Sequence, residues 1–269
     1  MKRFIFGIAG ATLLSLAISC QKTEKEETAS NDGIPDAVKA KISALGLTAT
    51  GAYKTDGGYI AEGDIFLDDA ILNSSPEQKF LVVANNEQYR TTNLVAGSPR
   101  FLTIRYTGAQ ASVSAALNNA IARYNALPAT YGLRFTRVAA GAAALITVSD
   151  IAGQPYIAAA GFPAGGQPFN SIRFNTAYAG LAGVTLTTVL AHEMGHCIGF
   201  RHTDWACRQF SCGGAAVNEG AAPVGAIHIP GTPVACNGDP TSWMLACVNF
   251  NGQDRPFNAN DRVALDFLY

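Results

Sequence analysis

Charge is scarce in this chain and neither sign prevails. Lys and Arg number 19 against 20 Asp and Glu, charged residues make up 14%, and the net charge is −1. That balance removes any electrostatic case for a nucleic acid or an acidic polymer as partner. No internal repeat is present. Beyond the first 19 residues no apolar run is long enough for a membrane span. Cysteine is missing between residues 21 and 100, and histidine between residues 150 and 171. Histidine is scarce everywhere, with four in 269 residues. Apolar residues are plentiful at 48%. They describe a globular chain with a large core, one domain of ordinary size plus a smaller piece.

The first residues read as a targeting signal and are set aside from fold reasoning. Lys2 and Arg3 give the positive end, and residues 4–19 form an apolar run that closes on Leu16-Ala17-Ile18-Ser19-Cys20. A span needs about 20 apolar residues, so this run is short. Small residues before a cysteine resemble a bacterial lipobox, with Ala17 where leucine is more usual. Cleavage before Cys20 and lipidation of its thiol would tether the protein to the outer membrane or cell surface. Plain secretion, with Cys20 lost in the cleaved signal, is the alternative. The expected division is 1–19 signal peptide, 20–33 lipidated tether, 34–97 prosegment and 98–269 catalytic domain. Gln21 to Glu27 is too charged to pack.

In an exported chain, Cys207, Cys212, Cys236 and Cys247 suggest disulfides with three connectivities open. Cys207–Cys212 and Cys236–Cys247 are favoured because each closes a short loop. Cys197 reads as a small buried hydrophobe.

Periodicity gives a helix from Ile34 to Leu45, an interrupted strand from Tyr59 to Leu67, and a short helix from Asp68 to Leu72. Gly97-Ser98-Pro99-Arg100 marks a boundary. A strand follows at Leu102–Tyr106, then a helix carrying Val113, Leu117, Ala120, Ile121 and Tyr124 with Ser112 as its cap. Short strands are expected at Leu133–Val138, Leu145–Val148, Ala158–Phe162 and Ile172–Phe174. A helix spans Thr185–Ile198, and a last one ends at Leu268. The fold class is α+β.

Three of the four histidines fall within His192-Glu193-Met194-Gly195-His196-Cys197-Ile198-Gly199-Phe200-Arg201-His202. His192 and His196 are four apart and so share one helix face, about 5–6 Å apart at Cβ. Two neutral imidazoles there can reach one zinc ion at about 2.0–2.1 Å. Gly199 ends the helix at positive φ and turns the chain so that His202 supplies the third ligand. Three protein ligands leave a position open, which marks a catalytic rather than a structural zinc site. Glu193, beside the first ligand, stands ready as general base and then acid. The expected reaction is attack of zinc-bound water on a peptide bond, with one catalytic Zn2+ ion as cofactor.

With those residues in place the chain resembles the metzincin metallopeptidases, and within them the bacterial dual-action HEIGH peptidases. The resemblance covers Pro99 to Tyr269. It implies a twisted, mostly parallel sheet with two helices in an upper subdomain. The lower subdomain would be irregular, with a methionine turn and a C-terminal helix. It places Met244, in Ser242-Trp243-Met244-Leu245, as the apolar floor under the histidines. It also makes Leu245 to Phe250 the lining of the pocket for the side chain after the scissile bond. Met194 stands where the group's name has isoleucine, a volume-conserving change. Ala246 stands where astacins have a zinc-binding tyrosine, so no tyrosine ligand is expected. Without histidine in 150–171, no second zinc of the matrixin kind is expected. Calcium near Asp150 lacks support. Glu62-Gly63-Asp64-Ile65 is similar to the Gly-Asp core of astacin propeptides. That makes Asp64 a candidate latency switch of a zymogen, with a simple Gly-Asp turn as the alternative. A cysteine switch is excluded.

Asp204 could orient His202, anchor its loop, or cap a turn. His228 reads as a surface or structural position. The expected protein is thus a monomeric zinc endopeptidase acting on protein or peptide substrates, exported and joined to a membrane by an N-terminal lipid anchor. The rival is a non-catalytic surface lipoprotein that binds a protein or glycan on a metzincin-like scaffold. Glu193 argues against it, since metal binding alone does not require that carboxylate.

Overall fold

The computed structural model describes residues 33–73, 88–221, 224–233 and 239–269. The signal, Cys20 with most of the tether, and Cys236 lie outside these residues. Asp32–Tyr269 forms one compact unit, so the expected prosegment packs within the same body as the catalytic part.

The N-terminal part opens with helix α1 (Asp36–Ala44), followed by strands β1 (Tyr53–Thr55), β2 (Gly58–Ala61) and β3 (Ile65–Leu67), then helix α2 (Asp69–Leu72). β1, β2 and β3 form an antiparallel sheet. The expected single interrupted strand over Tyr59–Leu67 is therefore a hairpin. Its reversal falls at Glu62 (φ 53°) and Gly63 (φ 92°), and two consecutive left-handed residues turn the chain sharply back. Ile42, Leu45, Leu47, Ala61, Ile65 and Leu67 bury together against Phe162.

Strand β4 (Tyr89–Arg90) precedes the central strand β5 (Arg100–Tyr106). In β5, Leu102, Ile104 and Tyr106 are buried, while Thr103 and Arg105 are half-buried, as the alternation predicts. Helix α3 (Ala111–Asn125) buries Val113, Leu117, Ala120, Ile121 and Tyr124. Ser112 does not cap it. The N-cap residue is Gln110, and Ser112 Oγ instead donates to the Ala179 carbonyl at 2.7 Å.

Strands β6 (Leu133–Arg137), β7 (Ile146–Ile151), β8 (Ala158–Ala159) and β9 (Ser171–Asn175) complete a five-stranded sheet ordered β6-β5-β7-β9-β8. Every pairing in it is parallel except that of the edge strand β8. Helix α4 (Gly183–Ile198) is buried from Thr185 to its end and packs against α3. The Tyr124 hydroxyl donates to the Ala191 carbonyl at 2.9 Å and ties the two helices together.

Below this layer the described residues are irregular apart from α5 (Gln209–Cys212), β10 (Ile227–His228) paired to β4, and helix α6 (Ala259–Leu268). Asn258 and Asp261 form a reciprocal capping box that starts α6. The α+β layout with a mostly parallel sheet, two upper helices and a lower irregular half agrees with expectation. Among the described residues, no helix is long and apolar enough to cross a membrane.

Candidate metal centre and active site

His192 and His196 rise from one face of α4, and Gly199 then takes φ 108° as the residue closing the helix. A side chain at Gly199 would meet the Asn93 carbonyl at 2.8 Å, so the turn needs glycine for space as well as conformation. The turn brings His202 back to the first two rings. Ring centroids lie 4.5, 4.9 and 5.3 Å apart.

Each ring is held by its Nδ1. That of His192 lies 2.9 Å from the Trp243 carbonyl, that of His196 2.8 Å from the Phe200 carbonyl, and that of His202 2.8 Å from Glu219 Oε1. All three partners are acceptors, so each Nδ1 carries a proton, and on His192 and His196 the Nε2 is left with a lone pair. The Nε2 atoms of His192 and His196 are buried without any hydrogen-bond partner. Two buried orphan acceptors facing a third ring fit a divalent cation, which three imidazoles can coordinate together.

Asp64 joins them. Its Oδ2 lies 3.1 Å from His202 Nε2 and 3.5 Å from His192 Nε2, and it could share an ion with the three rings. Burial opposes the charge on Asp64, yet His202 and His192 hold its carboxyl well below the usual range. Burial likewise opposes charge on His202, but Asp64 and Glu219 hold it well above the ordinary histidine value. Glu193 is 3% exposed and its Oε2 has no partner. Burial first, and the Asp64 charge second, push its carboxyl well above the usual value.

Met244 is fully buried under the motif helix. A side chain at Gly195 would come within 2.5 Å of Met244 Sδ, so glycine is required there for the methionine to approach. Sequence reasoning passed over Gly195, although glycine inside a helix costs about 1 kcal/mol and so signals a close approach. Trp243 Nε1 donates to the Ala191 carbonyl at 3.2 Å, and Thr203 N–H to the Met244 carbonyl at 2.9 Å. The turn is thereby bonded to the motif on both sides.

The profile of the dual-action HEIGH metallo-peptidase family matches residues 63–269. The chain belongs to that family. The match reaches back past the boundary at Gly97 and takes in Asp64. No curated protein matches. Among solved structures the chain is similar to one of myroilysin at 16% identity and TM-score 0.34, covering 43% of this chain and 55% of that one. A crystal structure of myroilysin gives 14% identity and TM-score 0.40, covering 65% and 86%. High choriolytic enzyme 1, a hatching enzyme zinc-protease from Oryzias latipes (medaka fish), gives 14% and 0.38, covering 62% and 88%. The chain thus spans about half the length of the first of these, 55%.

In this member of the family the histidines rest on an ion network that the sequence did not announce. Glu219, fully buried, receives Nδ1 of His202, pairs with Arg208, and lies 3.7 Å from Arg201. Arg201, inside the motif and 1% exposed, pairs with Glu62 at 2.9 Å. Arg208 also donates to the Glu62 carbonyl. Burial and the nearby Glu219 raise the Glu62 pKa to about 8, although Arg201 opposes the shift. The turn that presents Asp64 is therefore clamped to the loop that presents His202.

The favoured disulfides need correction. Cys212 is bonded to Cys247, which rules out both Cys207–Cys212 and Cys236–Cys247; Cys207 is also disulfide-bonded. Asp204 brings the observed pair together: its Oδ2 accepts from the Ser211 hydroxyl at 2.6 Å and its Oδ1 from Ala246 N–H at 3.0 Å. Asp204 thus anchors the loop, and Glu219 rather than Asp204 orients His202. Cys197 is a free, buried thiol. His228 pairs in β10 and bonds Thr232, apart from the three rings. The carboxylate of Asp150 is taken by Tyr106 and Ala109 N–H.

Proposed function

We propose that this metallopeptidase is a zinc endopeptidase in which His192, His196 and His202 hold the ion and Glu193 carries the proton. The observation behind it is the convergence of three Nδ1-anchored rings, two with orphan Nε2 atoms, beside a buried carboxylate with a free oxygen. A bound zinc ion would polarise a scissile carbonyl and acidify water. Glu193 would take the proton from attacking water and pass it to the leaving amine. Metal analysis with peptide-library cleavage tests the reading: about one zinc per chain and endoproteolysis are expected. A zinc-loaded chain that cuts nothing, once Asp64 is replaced, would favour the binding-scaffold alternative.

Asp64 is read as the switch that keeps the uncut chain latent. Supporting it are its contact with two of the rings and the pairing of its segment with the sheet edge. Phe66 N–H donates to the Ala160 carbonyl at 2.7 Å, and Ala160 N–H to the Asp64 carbonyl at 3.1 Å. A tethered carboxylate acts at roughly millimolar effective concentration. Asp64→Ala is therefore expected to raise peptide hydrolysis by the uncut chain at least about tenfold. An uncut parent as fast as the variant would end the latency reading. Cleavage near Arg90 or Arg100 would release the segment. Export and a lipid anchor at Cys20 rest on the N-terminal motif alone, and metabolic labelling with a fatty acid, absent in Cys20→Ser, tests them.

A further inference from the structure

A cleft of about 280 Å³ opens beside His192 and Glu193, walled by Val189 of the motif helix and by Leu245 and Val248 after the methionine turn. Most of this wall is apolar. Besides Asp64, His192 and Glu193, its charged lining is Arg208, which pairs with Glu219, and Arg255.

Arg255 is 6% exposed, and its Nε makes no hydrogen bond. None of the ion pairs among the described residues includes it. Burial pulls its pKa below the ordinary arginine value, and Asp204 pulls the other way from a distance. A guanidinium stays charged in a protein, and a buried charge without a partner is costly.

The neighbouring carboxylate does not relieve it. Asp254 is committed to Arg123 at 2.8 Å and to the Thr188 hydroxyl at 3.1 Å. Meanwhile the backbone of Arg255 is fixed on both sides. Its N–H donates to Thr188 Oγ1 at 2.9 Å, and its carbonyl accepts from Arg123 at 2.9 Å. The chain thus anchors the backbone of a charged residue at the cleft and gives its side chain no ion pair among the described residues.

In the endopeptidase reading Glu193 hands its proton to the leaving nitrogen, which would bring the residue bearing that nitrogen beside this cleft. We propose that Arg255 selects a carboxylate there: the side chain of Asp or Glu in the substrate residue that follows the scissile bond. This rests on the endopeptidase reading of the same site. A free C-terminal carboxylate would offer the same chemistry from another source, and the peptides below separate the two.

The test uses the full zinc-loaded chain with Asp64→Ala, so that the aspartate no longer lies against the rings. Amidated peptides differ only in the residue after the bond: Glu, Gln or Lys. Glu is expected to exceed Gln in kcat/KM at least about thirtyfold, the low end for breaking one buried charge pair. Arg255→Gln should bring the Glu-to-Gln ratio close to one, Arg255→Lys should keep part of it, and Arg255→Glu should favour Lys. A reversal of preference is something a merely structural arginine would not produce. Equal rates on Glu and Gln, or a ratio untouched by Arg255→Gln, would overturn the proposal. So would a preference seen only for free-acid peptides that end at that residue. If no peptide is cut, the hydrolytic reading fails, and calorimetry with the same peptides decides this one. Arg255-dependent binding of Glu over Gln sustains it, and equal or absent binding ends it.

Discussion

Glu193→Ala is expected to lower peptide hydrolysis by about 10²–10⁴-fold while close to one zinc stays bound per chain. The carboxylate is not positioned by any hydrogen bond to its Oε2, and its burial is 97% complete by its 3% exposure. A group kept buried with a free oxygen beside three rings contributes little to stability, so its loss should fall on chemistry. Burial, and after it the charge of Asp64, raises the Glu193 pKa and favours the protonated form, which cannot accept a proton. Both carboxylates therefore act in the same direction in the uncut chain. The measurement must use the Asp64→Ala background, where Glu193 alone is changed. His192→Ala in that background is the matching control and should lose the metal as well as the activity. If Glu193→Ala cut peptides as fast as its parent, the proton would have to travel by another group.

What the sequence disclosed was what local spacing encodes. His192 and His196 share a face because helices repeat every 3.6 residues, and Gly199 turns the chain because only glycine takes φ 108° there without strain. The alternation in β5 and the helical period in α3 were legible for the same reason. Contacts made across long separations were hidden. Asp64 meets His202 over 138 residues, and only its likeness to a known propeptide drew attention to it. The hairpin at Glu62-Gly63 was read as one strand because both halves are apolar. Arg201, between Gly199 and His202, carries no signal of its own in the sequence, yet it is buried and paired. The disulfide was misassigned because loop length says nothing about which loops Asp204 draws together. Glu219 sits in Asn218-Glu219-Gly220, a stretch with the composition of a surface turn, and nothing in it signals a fully buried carboxylate.

That carboxylate carries the second large expectation. Glu219→Ala should cost about 3–5 kcal/mol of stability, the usual loss when one member of a buried ion pair is removed. For a body of this size the melting temperature would fall by roughly 6–20 °C. Three partners lose their acceptor at once. His202 Nδ1 is left without the oxygens at 2.8 and 2.9 Å, Arg208 loses its ion pair, and Arg201 keeps Glu62 and two backbone carbonyls. With its ring no longer fixed, His202 should also bind the ion more weakly, and a competitive zinc titration is expected to register about 10–100-fold lower affinity. Glu219→Gln separates the two effects, because an amide oxygen still accepts from Nδ1 while the charge facing the arginines is gone. It should recover most of the zinc affinity and little of the stability. If Glu219→Ala melts and binds zinc as the parent does, Asp64 and Glu62 must hold His202 and the two arginines without it. The clamp would then lie wholly in the N-terminal turn, and cutting that turn away would disorder the third ligand rather than free it.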